Sequence, residues 1–305
     1  MATQTNARRQ AAEKKAAEAA KGSKGTKPVQ VQSKEIVRSN KQTEVALKQT
    51  VAAMIEEDAG VGNDFERADL AIPRISIIQS NSPQVKKAEG KFIKGAEEGD
   101  FLDTVTNEVF AKGEDGFKFI IVAYRRTDIE WITRKNGGGF VADHGINSGI
   151  LSQCSKDEET GAMLLKNGNE IVTTAEYLGF AIGEDGIPRQ VAISLAKSQL
   201  SKSRQVNTKL TTLQVPRPSG TGTFNPALFY SFFHVTSVPA VSKKTGDSYM
   251  AWNIVREGNT VDLDGGEQLY LDARAFRESV DAGKVKVAQG DNAGDGSVAD
   301  DDASL

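Results

Sequence analysis

The chain has 305 residues, of which 38% are hydrophobic and 26% charged, a composition typical of a soluble globular protein. Its one cysteine, Cys154, excludes a disulfide scaffold and a zinc site built from several cysteines. No stretch approaches the roughly 20 apolar residues of a membrane helix, and no apolar segment follows the basic N-terminus as it would in a secretory signal. We therefore expect a cytoplasmic protein without a membrane partner.

The net charge of −3 hides an uneven distribution along the chain. Residues 1–50 carry 11 Lys or Arg and 4 acids, for +7, and residues 287–305 carry five Asp and no base, for −5. The residues between them hold 27 bases and 32 acids, again −5. The sequence thus has a basic leader, a mildly acidic body and a short acidic tail.

Two elements are predicted before the body begins. Residues 1–38 contain no aromatic residue and too few bulky apolar ones to offset the entropy of ordering them, so we expect a disordered basic tail. Residues 39–62 are predicted to form a short amphipathic helix, because apolar residues recur there at helical spacing. These residues are Leu47, Val51, Met54 and Ile55.

Residues 63–287 are predicted to form one β-rich, nucleic-acid-binding domain, since β-branched and aromatic segments alternate with turn residues. The predicted strands are 72–79, 117–124, 128–133, 176–182, 190–195, 228–238 and 249–255. We expect the second and third, the fourth and fifth, and the sixth and seventh of these to pair as hairpins. Helices are predicted over 196–213 and 267–282. This pattern favours a mainly β (α+β) fold, an elaborated OB-like antiparallel β-barrel with two or three helices and disordered termini.

The sequence offers little for catalysis. It lacks a phosphate loop, a GxGxxG fingerprint and a nucleophile elbow. The two histidines, His144 and His234, are too few for a histidine-built metal centre, and the acids are not clustered. We therefore expect a protein that is not an enzyme and that needs no cofactor or metal.

Nucleic-acid binding has stronger signals, because single-strand binding needs cations for phosphate and aromatic faces for bases. Four aromatic residues close to polar or basic neighbours are predicted to stack on bases: Tyr124, Trp131, Tyr230 and Trp252. Eight cations are predicted to neutralise phosphates: Arg125, Arg126, Arg134, Lys135, Lys197, Lys202, Arg204 and Lys209. The stretch 197–217 has five bases and no acid. The alternative is that the aromatics are core residues and this stretch is a solvated helix face.

Residues 288–305 are predicted to be a disordered acidic tail. Its candidate partner-binding residues are Asp300, Asp301, Asp302 and the terminal Leu305. A mobile polyanion can compete with nucleic acid for the protein's own basic surface. A short acidic peptide with an apolar end also suits a basic pocket on a partner protein.

The strand-rich body, the basic and aromatic strands and the acidic tail together resemble the single-stranded DNA-binding proteins of bacteriophages and bacteria. The segment Ser198–Arg204 and the hairpin ending Ala251-Trp252-Asn253 resemble phage-encoded proteins of this kind. The resemblance implies an OB-fold core, binding without sequence specificity, and a tail that recruits replication or recombination proteins. Two features depart from that pattern: the tail ends in Ser-Leu rather than Phe, and the body exceeds a minimal OB barrel.

The function predicted from the sequence is therefore a phage-encoded protein that binds and protects single-stranded DNA in the host cytoplasm. It has two alternatives. One is a phage virion or scaffold protein whose tails mediate subunit contacts, and the other is a strand-annealing recombination protein that forms rings. A homo-oligomer is compatible with all three.

Overall fold

The structure is a computed structural model that describes residues 71–242 and 246–288, together with residues 51, 53–55, 57, 58 and 61. The chain divides into two compact units, Met1–Asp64 and Phe65–Leu305. In the first unit, residues 51, 53–55 and 57 are helical, inside the segment predicted as a helix. The predicted basic tail 1–38 lies outside the described residues, as does the acidic tail from residue 289 onward.

The second unit is mostly β-structure, as predicted. Its strands are β1 (Ala71–Ile72), β2 (Arg74–Ile77), β3 (Phe101–Asp103), β4 (Glu108–Ala111), β5 (Phe117–Ile132), β6 (Gly139–Asp143), β7 (Ser155–Lys156), β8 (Met163–Leu164), β9 (Glu170–Ile182), β10 (Pro188–Ala196), β11 (Val215–Pro216), β12 (Thr223–Phe224), β13 (Ser231–Val241), β14 (Ser248–Asn259) and β15 (Lys286–Val287). Two α-helices are described in this unit, α1 (Leu200–Thr212) and α2 (Gly266–Asp281), at the two predicted positions.

Eleven of the strands form one curled half-barrel sheet with the order β14-β13-β5-β9-β10-β2-β3-β4, to which β6, β7 and β8 add at one end. Two of the three predicted hairpins are present, β9 with β10 and β13 with β14. The pairing is antiparallel except between β2 and β10 and between β1 and β15. The mainly β class is thus confirmed, whereas the finer OB-like assignment stays a prediction.

The predicted hairpin between 117–124 and 128–133 is wrong, because both segments belong to the single strand β5. Residues Arg125–Thr127 look like a turn in the sequence, but they continue the ladder with β9. Their polar side chains are accommodated because Arg125 lies opposite Glu176 and pairs with it. A cross-strand ion pair therefore replaces the expected turn.

The central strands are covered on both faces. The inner, concave face packs Phe119, Tyr177, Ile193 and Phe233 into one core. The outer face packs Ile120, Leu178 and Phe232, among others, against the apolar stripe of α2. That stripe consists of Leu269, Ala273 and Phe276, all buried. Alternate residues of one strand thus serve two cores, which explains why these strands are almost continuously apolar.

A side-chain amide joins the segment after β2 to β14 across the opening of the curled sheet. Gln79, directly after β2, is 7% exposed. Its Nε2 donates to the carbonyl of Met250 in β14 at 3.0 Å, and its Oε1 accepts from the Met250 N–H at 2.9 Å. The side chain thus forms the two hydrogen bonds that a neighbouring strand would form.

Replacing Gln79 by leucine removes both bonds and leaves the Met250 N–H and carbonyl without partners. We expect Gln79→Leu to lower the free energy of unfolding by about 2–4 kcal/mol, since each buried polar group left unpaired costs about 1–3 kcal/mol. Urea titration measures this loss. The matched control is Gln190→Leu, at an exposed position of β10. Equal midpoints for the two variants would show that the amide does not close the sheet.

Candidate nucleic-acid interface

The candidate interface is built on the second half of β5. The register between β5 and β9 shifts between Ile121 and Ala123, so β5 holds one extra residue. Val122 and Ala123 consequently both belong to the outer core, although they are adjacent. After this bulge, Tyr124 lies opposite Tyr177 on the inner face, and Arg125 lies opposite Glu176 on the outer face.

The phenol of Tyr177 fixes helix α1 to the inner face. Tyr177 is fully buried, and its hydroxyl donates to the Ser203 carbonyl at 3.1 Å or to Asn207 Oδ1 at 2.9 Å. The hydroxyl of Ser203 lies 2.9 Å from the same oxygen. The pKa of Tyr177 is raised to about 12, because the effect of burial exceeds the opposing effect of the hydrogen bond with Ser203. The helix is therefore held at two successive turns.

The ring of Tyr124 lies beside this anchor and reaches solvent. Its centroid is 5.1 Å from that of Tyr177, and Tyr124 is 37% exposed. Arg126, two residues further along β5, shares the inner face and is exposed. No ion-pair partner of Arg126 is found among the described residues. An aromatic face and an unpaired cation are thus side by side.

Helix α1 adds a further cation to this site. Arg204 precedes Asn207 by one helical turn, so the two residues lie on the same side of α1. Arg204 is exposed. Lys202 and Lys209 lie five residues before and two residues after Asn207, about 140° and 160° around the helix, and so point away from it. We call Tyr124, Arg126, Arg204 and Asn207 the Tyr124 surface.

Beyond Arg126 the inner face is closed to solvent. Asp128 is 2% exposed and accepts a hydrogen bond from the Thr173 hydroxyl at 2.6 Å. Glu130 accepts from Asn169 Nδ2 at 2.6 Å and lies 2.8 Å from His144 Nε2. The bond from Asn169 and those from His144 and Asn167 lower the pKa of Glu130. These carboxylates are therefore occupied and shielded, and they do not compete for the cations of the Tyr124 surface.

Cys154 lies close to the same carboxylates. Burial raises the pKa of its thiol, and the charges of Asp128 and Glu130 raise it further. Its Sγ–H points to the carbonyl of Ile150 at 3.5 Å. A raised pKa leaves less thiolate at neutral pH, so the thiol is a poor nucleophile.

Two of the predicted cations are already occupied by carboxylates. Arg125 pairs through Nε with the fully buried Glu176, and its Nη2 lies 3.6 Å from Asp143 Oδ2. Arg74 Nη2 approaches Glu176 from the other side at 2.8 Å. Lys197 Nζ lies 2.7 Å from Glu170 Oε1, with both side chains largely buried. Arg125 and Lys197 thus compensate carboxylates of the fold, and their role at phosphates stays a prediction.

Trp131 and Lys135 lie in a different part of the sheet. We call residues 131–170 the arm; it comprises the end of β5, the strands β6–β8 and the start of β9. Trp131 is half-buried and faces Phe140 edge-on at 5.6 Å. It lies opposite Glu170 on the outer face, whereas Tyr124 is on the inner face. Lys135 is exposed, in the short 3-10 helix Arg134–Asn136 that follows β5. The structure therefore separates these residues from the Tyr124 surface.

The remaining two predicted aromatics, Trp252 and Tyr230, have different surroundings. Trp252 is 6% exposed and packs at 5.4 Å from the ring of Phe101 in the inner core, so base stacking is not available to it. This corrects its predicted role. Tyr230 is half-buried and ends the 3-10 helix Leu228–Tyr230, which packs against β5. The tail residues Asp300, Asp301, Asp302 and Leu305 lie outside the described part of the chain.

Sequence reasoning missed Tyr177, because a tyrosine inside an apolar strand looks like a core residue. The sequence also carries a longer charge signal than the stretch 197–217. The acid-free stretch extends well beyond 197–217, from Gly186 to Gly246, and contains eight bases. It includes all of α1, β10 and β13. The elements next to the Tyr124 surface are thus poor in carboxylates over a long length of chain.

Among the described residues, no group of three or more His, Cys, Asp or Glu side chains is arranged to hold a metal ion. In the same part of the chain, no helix combines the length and apolar character needed to span a bilayer.

The fold and site define a mainly β protein with a half-barrel sheet and an exposed tyrosine that shares its face with the unpaired Arg126. The family model of the Pam3 phage gp34-like protein matches residues 39–286. The chain therefore belongs to the Pam3 phage gp34-like family, a family of phage proteins, as expected of a phage protein. No curated protein matches the chain, and no solved structure matches it.

The Tyr177 anchor predicts a stability change at high pH. The folded-state pKa of about 12 exceeds the ordinary value of 10.0, so the anchor's contribution is complete below pH 10 and is lost as the pH rises toward 12. Two pKa units correspond to at most about 2.7 kcal/mol. We expect the unfolding free energy of Tyr177→Phe to fall less between pH 10 and 12 than that of the parent. If the unfolding free energies of the two proteins fell equally between pH 10 and 12, the Tyr177 hydroxyl would not stabilise the fold as described.

Proposed function

We propose that this phage protein binds single-stranded DNA without sequence specificity and that the strand contacts the Tyr124 surface. The observation that carries the proposal is the exposed ring of Tyr124 on the sheet face that it shares with Arg126, a cation with no ion-pair partner among the described residues. Arg204 is likewise exposed and unpaired, and it lies on the side of α1 where Asn207 contacts Tyr177. A base stacked on an aromatic side chain contributes roughly 1–3 kcal/mol whatever its identity. Such a site suits a strand of any sequence.

Charge placement supports the same proposal. Arg125 and Lys197 are neutralised by Glu176 and Glu170, whereas Arg126 and Arg204 have no ion-pair partner among the described residues. The net negative charge of the body does not oppose binding, because only the contact surface must be positive. Asn207 adds a polar group, since its Oδ1 accepts from Tyr177 and leaves the amide NH₂ to donate to phosphate or base.

The wider role that we propose is protection of single strands during replication or recombination. The resemblance to phage and bacterial single-stranded DNA-binding proteins supports this role, and so does the acidic tail, which would recruit other proteins. We also propose that the half-barrel is related to the OB fold.

The test is a salt titration against fluorescent oligo-dT. On single strands the slope of log K against log salt changes by about 0.7 for each phosphate contact, so Arg126→Ala and Arg204→Ala should each reduce the slope by about 0.7. Lys209→Ala is the matched control, because it removes the same charge from the opposite side of α1. Equal effects of Arg204→Ala and Lys209→Ala would contradict the geometry. No binding at ~50 mM salt would remove the function itself.

The titration is run on the full chain and on a chain that ends at Ala288. This end keeps the hydrogen bond from the Ala288 N–H to the Ile72 carbonyl at 2.9 Å, and it removes all five Asp of the tail. If the tail competes for the Tyr124 surface, the shortened chain binds oligo-dT more tightly. Weaker binding by the shortened chain would refute the competition.

A further inference from the structure

The arm, residues 131–170, has no core of its own. None of its described side chains is buried. Apart from its cysteine, it contains ten bulky apolar residues. Eight are half-buried: Trp131, Ile132, Phe140, Ile150, Leu151, Met163, Leu164 and Leu165. Val141 and Ile146 are 42% and 41% exposed. Apolar side chains that are only partly covered within the chain leave area that a partner can bury.

Three hairpin tips meet at the end of the arm. The tip after β5 contains Lys135, and the tip after β7 contains Asp157. Hydrogen bonds from Thr160 lower the pKa of Asp157, and the charge of Lys135 contributes in the same direction. The tip after β8 contains Gly168, where a Cβ would lie 3.8 Å from Asn136 of the first tip. The arm therefore ends in a single composite surface.

The charges of this end are balanced and sorted. The first and third tips contribute Arg134, Lys135 and Lys166, and the second contributes Asp157, Glu158 and Glu159. Over residues 133–169 there are four bases and four acids, so the net charge is zero. Lys135, Lys166, Glu158 and Glu159 are exposed, and none has an ion-pair partner among the described residues. The acidic tip opposes the attraction of a polyanion to the basic tips, so the net charge here does not favour nucleic acid.

A surface with a basic side and an acidic side is complementary to itself when a second copy is turned by a two-fold rotation. We propose that the arm is a self-association surface, which pairs the basic tips of one copy with the acidic tip of another and covers the half-exposed apolar residues of both. This inference does not depend on the proposed DNA binding, because the arm is separate from the Tyr124 surface.

The test is sedimentation velocity on the full chain of 32.7 kDa. Wild type should show a weight-average mass that rises with concentration from one chain toward two, and high salt should reverse the rise. A mass of one chain at every concentration would overturn the proposal.

Two charge-reversed variants separate contacts between copies from contacts within one copy. The first variant is Lys135→Glu with Lys166→Glu, and the second is Glu158→Lys with Glu159→Lys. Each alone should remain monomeric, because like charges then meet across the interface. An equimolar mixture should associate again, which no contact within one copy can produce.

A mixture that stays monomeric, or single variants that still associate, would contradict the pairing. Since a misfolded variant could not be rescued by mixing, recovery also shows that both variants are folded. Oligo-dT titration of the first variant keeps the two proposals distinguishable. If the arm contacts only protein, the variant should bind oligo-dT with the affinity of wild-type protein, measured at a concentration at which both are monomeric.

Discussion

The structure depends on one irregularity in the ladder between β5 and β9, the extra residue at Val122. Side chains alternate between the two faces of a sheet, so a shift of one residue moves every later side chain of the strand to the opposite face. Without the bulge, Tyr124 would join the outer face with Ile120, and Arg125 would take its place beside α1. The bulge instead directs Tyr124 and Arg126 toward the helix and directs Arg125 toward Glu176.

The same strand pair links two regions of opposite character. Toward its lower-numbered end, β5 lies between two apolar cores, and its residues are almost all buried. Toward its other end it forms part of the arm, where none of the described side chains is buried. The Tyr124 surface lies between these regions, on a rigid element yet open to solvent. This placement provides the fixed geometry that a binding site requires.

Ion pairing decides which cations are available at this surface. Glu176 is fully buried, and it is compensated by Arg74 and Arg125 together. Removing either arginine would leave a buried carboxylate undercompensated, which is costly. Arg125 therefore cannot leave Glu176 for a phosphate without a penalty. Arg126 and Arg204 are exposed and carry no such constraint.

The sequence predicts most helices and strands well, but it predicts poorly on which face of the sheet a side chain lies. Hydrophobic periodicity and turn residues locate both helices and the hairpins β9–β10 and β13–β14. The continuity of β5 could not be predicted, because Arg125-Arg126-Thr127 is polar and its partner Glu176 is distant in the chain. The same limit applies to the site: Trp252 and Tyr124 look alike in sequence, and only the curl of the sheet buries one and exposes the other.

The central claim, that bases stack on Tyr124, is tested most directly by photocrosslinking. A single-stranded oligonucleotide carrying 5-iododeoxyuridine is irradiated with the chain that ends at Ala288, and the adducts are mapped by mass spectrometry. The account predicts an adduct on Tyr124 that disappears in Tyr124→Leu, with none on the buried Trp252. Adducts confined to the N-terminal leader or to Trp131 of the arm would contradict it.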